Sequence, residues 1–133
     1  MKIPPQFIVV DDDPISNMVC KYNIAGFAPT ARIQLFTDPK EALAWLREEY
    51  VDRSAALDTV LFLDINMPVM SGWEFLDEFS LFPETVHALI SIFILSSSID
   101  PVDKQNAENH PLVHGYHSKP LSKETIKLIY GEE

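Results

Sequence analysis

Four segments of this chain are too uniformly apolar to alternate between a wet and a dry face. FIVV (7–10), VLFL (60–63) and ISIFIL (90–95) are rich in Val, Ile, Leu and Phe, and ARIQLF (31–36) follows them less clearly. Strands of this kind are covered on both faces, as in a parallel sheet between helical layers. A shorter fifth strand is expected at VHGYH (113–117). Between the strands, apolar residues recur at helical spacing: Ile15, Met18, Val19 and Tyr22, then Ala42, Trp45 and Leu46, then Phe75, Leu76 and Phe79. Helix starts are marked by Asp38-Pro39 with Glu41, by Ser71 with Glu74, by Asp100-Pro101 and by Ser122. Capping accounts for those residues without any further role.

Five strand-then-helix units in 133 residues predict right-handed crossovers and one α/β domain. The expectation is a single domain over 1–133, with a core over about 6–130 and no output domain. A net charge of −10 disfavours nucleic acid and anionic membranes and favours cations or basic protein surfaces. No apolar run is long enough to span a bilayer, and MKIPPQFIVV is too short for a signal peptide. The single Cys20 excludes an internal disulfide and is consistent with a cytoplasmic setting.

In open parallel sheets, ligands bind beyond the carboxyl ends of the strands. Those ends carry Asp11, Asp12 and Asp13 after the first strand and Asp64-Ile65-Asn66-Met67-Pro68 after the third. Ser96, Ser97 and Ser98 follow the fourth strand, and Ser118-Lys119-Pro120 the fifth. Three converging carboxylates repel one another unless a hard cation intervenes; Mg²⁺ suits oxygen ligands and phosphate chemistry. A remaining carboxylate can then attack phosphorus and form an acyl phosphate, with Lys119 and Ser96 placed to stabilise the phosphoryl oxygens. Asp13 is expected to cap the helix that starts near Pro14.

The ordered motifs VVDDDP, LFLDINMPVMSG, ILSS and HSKP resemble the receiver domain of two-component response regulators, of the stand-alone type. The resemblance implies a flavodoxin-like (βα)5 sandwich with a parallel sheet of order 2-1-3-4-5. It implies Mg²⁺ (or Mn²⁺) held by Asp11, Asp12, Asp64 and the backbone carbonyl of Asn66, with Asp64 as phosphoacceptor. Lys119 would pair with the phosphoryl group, Ser96 and Tyr116 would be the switch residues, and Pro68, Gly72 and Pro120 would shape the turns, the last often through a cis bond. A sensor histidine kinase or histidine phosphotransfer protein would be the donor. Phosphorylation would reshape the face formed by the fourth helix, fifth strand and fifth helix, in a monomer or a phosphorylation-dependent dimer. The domain would not be a conventional enzyme: it would catalyse only its own phosphoryl transfer and dephosphorylation.

The chain departs from that pattern at Ser97, where Ala is usual, and in a longer Glu48-to-Asp58 connection; its fourth helix is poorly marked by Val102 and Ala107. FIVVDDDPI also fits a haloacid-dehalogenase-type phosphatase, with Asp11 as nucleophile and Asp13 as acid/base, although no cap domain is visible. A receiver-like binding module that is never phosphorylated is the third reading. His87, His110, His114 and His117 lack the spacing of a metal set.

Overall fold

A computed structural model describes residues 3–98 and 100–130; the one-domain expectation over 1–133 extends past them at both ends. The order along the chain is β1 (Gln6–Val10), α1 (Pro14–Phe27), β2 (Arg32–Phe36), α2 (Pro39–Leu46), a π-helical turn (Arg47–Asp52) and β3 (Thr59–Leu63). It continues through α3 (Gly72–Phe79), α4 (Glu84–Leu89), β4 (Ile90–Ser96), α5 (Pro101–Asn109), β5 (Val113–Ser118) and α6 (Lys123–Tyr130). All four strand pairings are parallel and the order is β2-β1-β3-β4-β5.

Strand periodicity divides the apolar runs between two cores. Ile8, Val10, Leu61 and Leu63 pack with Ala42, Leu46, Phe75, Phe79 and Ala107 on the face covered by α2, α3 and α5. Phe7, Val9, Val60 and Phe62 pack with Cys20, Ile24, Leu121 and Ile126 on the face covered by α1 and α6. Every residue of β1 and β3 is buried, which is why these segments cannot alternate in sequence. Burying Phe7, Phe62, Phe75 and Phe79 contributes about 1.5–3 kcal/mol for each side chain.

Local chemistry starts the helices where expected. Asp13, Asp38 and Asp100 accept hydrogen bonds from Ile15 N, Lys40 N and Val102 N, each with proline at the first helical turn. Ser71 and Glu74 close a reciprocal capping box, and Ser122 Oγ accepts from Thr125 N.

Two features go beyond the sequence expectation. The stripe Ile15, Met18, Val19 and Tyr22 faces water, Tyr22 being 74% exposed, while α1 buries Asn17, Cys20 and Ile24. The deciding interaction is polar: Asn17 Nδ2 donates to the carbonyls of Asp11 (3.0 Å) and Phe36 (3.3 Å), locking that side of α1 onto the sheet. The long connection after α2 forms the π-helical turn, and a short α4 is inserted before β4, so the predicted fourth and fifth helices are α5 and α6. In α5, Ala107 is buried, whereas Val102 is exposed. Among the described residues no helix is long and apolar enough to cross a membrane.

Candidate functional site

β1 and β3 are neighbours in register, Val10 against Leu63, so the residues that follow them emerge side by side. Asp64 N donates to Val10 O (3.0 Å), and Asp11 N donates to Phe36 O (3.1 Å), extending the ladders by one step. Carboxylate oxygens of Asp11, Asp12 and Asp64 consequently lie within 4.8 Å of one another. Asp11 is 2% and Asp64 5% exposed, whereas Asp12 is open to solvent. Asp13 is not in this group: its carboxylate caps α1, and its N–H donates to Asp11 Oδ1 (3.0 Å).

Lys119 enters from the end of β5. Its Nζ lies 2.6 Å from Asp11 Oδ2 and 3.3 Å from Asp64 Oδ2. Burial pushes the ammonium pKa down, but its contacts with Asp11 and Asp64 outweigh that and hold it above the ordinary lysine value. Burial also raises the Asp64 pKa; Lys119 opposes the rise, and the neighbouring Asp11 charge adds to it. The buried Cys20 thiol below is pushed up to about 12, first by burial and then by Asp11, so it remains protonated and inert.

One lysine does not balance three carboxylates. Asp11 Oδ2 is buried without an aligned hydrogen bond from any described residue; its Lys119 contact is an ion pair outside hydrogen-bonding alignment. An all-oxygen set with a half-open side and a surplus of negative charge fits a hard divalent cation of the Mg²⁺ or Mn²⁺ type. Asp11, Asp12 and Asp64 are the side chains able to hold it.

The loop after β3 is fixed from two directions. Asn66 N donates to Asp64 Oδ1 (3.3 Å), and Gly72 N donates to Ile65 O (3.0 Å). Pro68 is exposed on this loop, as is Asn66. The Lys119–Pro120 peptide is cis, and Lys119 N donates to Ser96 O (3.0 Å).

Ser96 is fully buried at the end of β4. Its Oγ accepts from Ser98 N (3.0 Å), and its own proton has no acceptor among the described residues. Ser98 also accepts at its carbonyl from Tyr116 Oη (3.0 Å) and donates from Oγ to Asp103 Oδ2 (2.7 Å). Ser96 and Tyr116 are thus joined through one residue. No motif in the sequence marks Ser98 for that linking position or Asn17 for its hold on Asp11. The signal for Asn17 was the Asn17-Cys20-Ile24 spacing, a second helical stripe with a polar member.

Comparison with known proteins agrees with this geometry. The family model described as response regulator receiver domain matches residues 7–130. The cyclic di-GMP phosphodiesterase response regulator RpfG of Xanthomonas campestris pv. campestris (strain 8004) is 30% identical over 100 residues, 75% of this chain and 24% of that protein. The chain therefore spans about a quarter of the length of that relative. A two component response regulator from Cytophaga hutchinsonii superposes with a TM-score of 0.85 at 29% identity, covering 97% of this chain and 96% of that one. A response regulator receiver protein from Dyadobacter fermentans DSM 18053 gives 0.80 at 29% identity, covering 96% and 98%. With the family model spanning all five strands, and with acidic residues gathered at their carboxyl ends, the chain belongs to the response regulator receiver domain family of two-component signalling.

Proposed function

We propose that Asp64 is the phosphoacceptor of this receiver and that Asp11, Asp12, Asp64 and the Asn66 carbonyl hold Mg²⁺ or Mn²⁺ beside it. The observation that carries this reading is the three-carboxylate cluster, with Asp64 buried, Lys119 in contact with two of its members and Asp13 turned away as a helix cap. A carboxylate oxygen of Asp64 attacks the phosphorus of a phosphohistidine; the new O–P bond forms as the N–P bond breaks, and the imidazole nitrogen leaves with the electron pair. When bound, the divalent ion supplies positive charge to the phosphoryl oxygens and offsets carboxylate repulsion. Lys119 shifts from its carboxylate contacts to pair with the phosphoryl group. Loss of the phosphoryl group to water at the same site returns the domain to its resting state.

The buried Ser96 hydroxyl has a proton to donate to an incoming phosphoryl oxygen. Its movement weakens the bond from Ser98 N, and Ser98 O holds Tyr116, so charge at Asp64 biases the β4–α5 connection and β5 together. Ser96 and Tyr116 are the switch residues, and the α5–β5–α6 face is what changes for the downstream protein. Gly72, Pro68 and Pro120 shape the loops that hold the acceptor and the lysine.

The donor is a sensor histidine kinase or histidine phosphotransfer protein, and its docking surface is the exposed stripe of α1. That helix begins immediately after the carboxylates and presents Ile15, Met18, Val19 and Tyr22 to solvent, apolar area suited to a partner helix that delivers a histidine to the cleft. The setting is cytoplasmic. Borohydride reduction of the phosphorylated protein, followed by peptide mapping, tests the acceptor: homoserine is expected at position 64. Homoserine at position 11 would instead favour the phosphatase reading.

A further inference from the structure

At the opposite end of the sheet, the face under α2 carries a polar row, where Ile8, Val10, Leu61 and Leu63 of the same face are apolar. Arg32, Gln6 and Thr59 are in register across β2, β1 and β3, one step from the Ile8–Leu61 row. A cavity of about 550 Å³ opens over this row, walled by Trp45 of α2 and by Glu49 and Tyr50 of the π-helical turn. The wide turn and the left-handed Ser54 (φ 55°) carry the chain around its rim.

Gln6 is only 3% exposed. Its Nε2 donates to Tyr50 Oη (2.9 Å) and Thr59 Oγ1 (3.1 Å), and both hydroxyls donate onward to Leu57 O (3.1 and 3.0 Å). Tyr50 Oη and Thr59 Oγ1 also share a hydrogen bond (2.5 Å), so these hydroxyls and Leu57 O form one network on the NH₂ side of the amide, and its other polar atom is Gln6 Oε1 at the cavity floor. That oxygen accepts no hydrogen bond from any described residue. The floor of the cavity therefore offers an acceptor open to a ligand's donor. At the mouth, Arg32 has no acidic partner among the described residues, in a chain where acids outnumber bases by 20 to 10. Glu49, on the other wall, is engaged by Arg53 at 3.4 Å. Trp45 is held in place by ring contacts with Phe36 (5.7 Å) and Tyr50 (6.4 Å).

We propose that this cavity binds a small carboxylate that carries a hydrogen-bond donor and an apolar body, of the α-amino acid class. The carboxylate pairs with the Arg32 guanidinium, the ammonium donates to Gln6 Oε1 and faces Glu49, and the side chain lies along Trp45. The volume is within the range of small-molecule sites, with room for an aromatic side chain. The site is distinct in place and chemistry from the phosphoacceptor cleft.

Full-length Trp73→Phe protein leaves Trp45 as the only tryptophan and so reports on this wall. Titration with L-phenylalanine is expected to give a saturable fluorescence change. Phenylalaninamide, which lacks the carboxylate, and 3-phenylpropionate, which lacks the ammonium, should each bind about tenfold more weakly, as should L-phenylalanine to the Arg32→Gln variant. Amide NMR shifts of the wild-type protein should cluster in residues 30–34 and 45–57. The proposal is overturned if no probe saturates at millimolar concentration, if Arg32→Gln or removal of either group leaves binding unchanged, or if the shifts cluster elsewhere.

Discussion

A Cβ added to Gly72 would stand 2.7 Å from the carbonyl oxygen of Asp64 and 2.8 Å from Ile65 Cα. Both neighbours are backbone, so neither can yield cheaply. The start of α3 is pressed against the loop that carries Asp64, and only glycine permits that approach. Gly72→Ala is expected to cost about 1–3 kcal/mol and to slow phosphoryl uptake by displacing Asp64. Urea unfolding and the rate of acetyl phosphate modification check the two effects; wild-type values for both would show that the loop is not fixed this way.

In the proposed site, Lys119 contacts the same oxygens that the cation would use. Removing it leaves Asp11 buried without a counter-charge, so Lys119→Ala should lose about 1–3 kcal/mol in metal-free buffer. Divalent affinity should rise in the same variant, on the order of tenfold, because an ammonium 2.6 Å from Asp11 Oδ2 is gone. Calorimetric titration with Mg²⁺ reads the second effect. A weaker affinity would contradict the competition.

The pH dependence follows from Asp64. Burial raises its pKa in the folded state, so the native protein holds a proton that the unfolded chain has already released. Stability in metal-free buffer therefore falls as pH rises from the ordinary carboxylate range through the folded pKa of Asp64, and stays lower above it. Asp64→Asn should flatten that fall, and Mg²⁺ should oppose it by favouring the carboxylate. Lys119 adds a second fall of the same sign at high pH: its raised value contributes stability below the ordinary lysine pKa that is lost as pH climbs through the folded one. Denaturation midpoints measured across pH, for wild type and Asp64→Asn, check the sign.

Met18 and Tyr22 lie on the water-facing side of α1, 60% and 74% exposed. Replacing either with Glu should change stability by no more than about 0.5 kcal/mol and leave modification by acetyl phosphate unchanged. Transfer from a phosphorylated histidine protein should slow at least about tenfold, because docking is lost while chemistry is intact. Equal transfer rates would remove α1 from the donor interface.

Each of the five strands lies within one or two residues of its expected place; β1, β3 and β4 were legible because burial leaves an uninterrupted apolar run, whereas the edge strands β2 and β5, which bury no residue fully, carry a weaker pattern. The convergence of Asp11, Asp12, Asp64 and Lys119 was legible for a related reason, since parallel strands deliver their carboxyl ends to one edge. Helix orientation was not. The apolar spacing on α1 marks the helix and not its buried side: the two hydrogen bonds made by Asn17, with Cys20 and Ile24, put the other side against the sheet. The π-helical turn and α4 were also unreadable, because neither carries a period or cap that separates it from the adjoining segments. Ser98 is one hydroxyl in a run of three; its bonds to Ser96 and Asp103 are local, and the bond it accepts from Tyr116 depends on β4 and β5 being neighbours.

Intact mass after incubation with acetyl phosphate and Mg²⁺ tests the central assignment most directly. Wild-type protein should gain one phosphoryl group, and the gain should vanish with Asp64→Asn or when the cation is chelated. An unmodified wild-type protein, or an Asp64→Asn variant that still takes up the group, would contradict Asp64 as the acceptor.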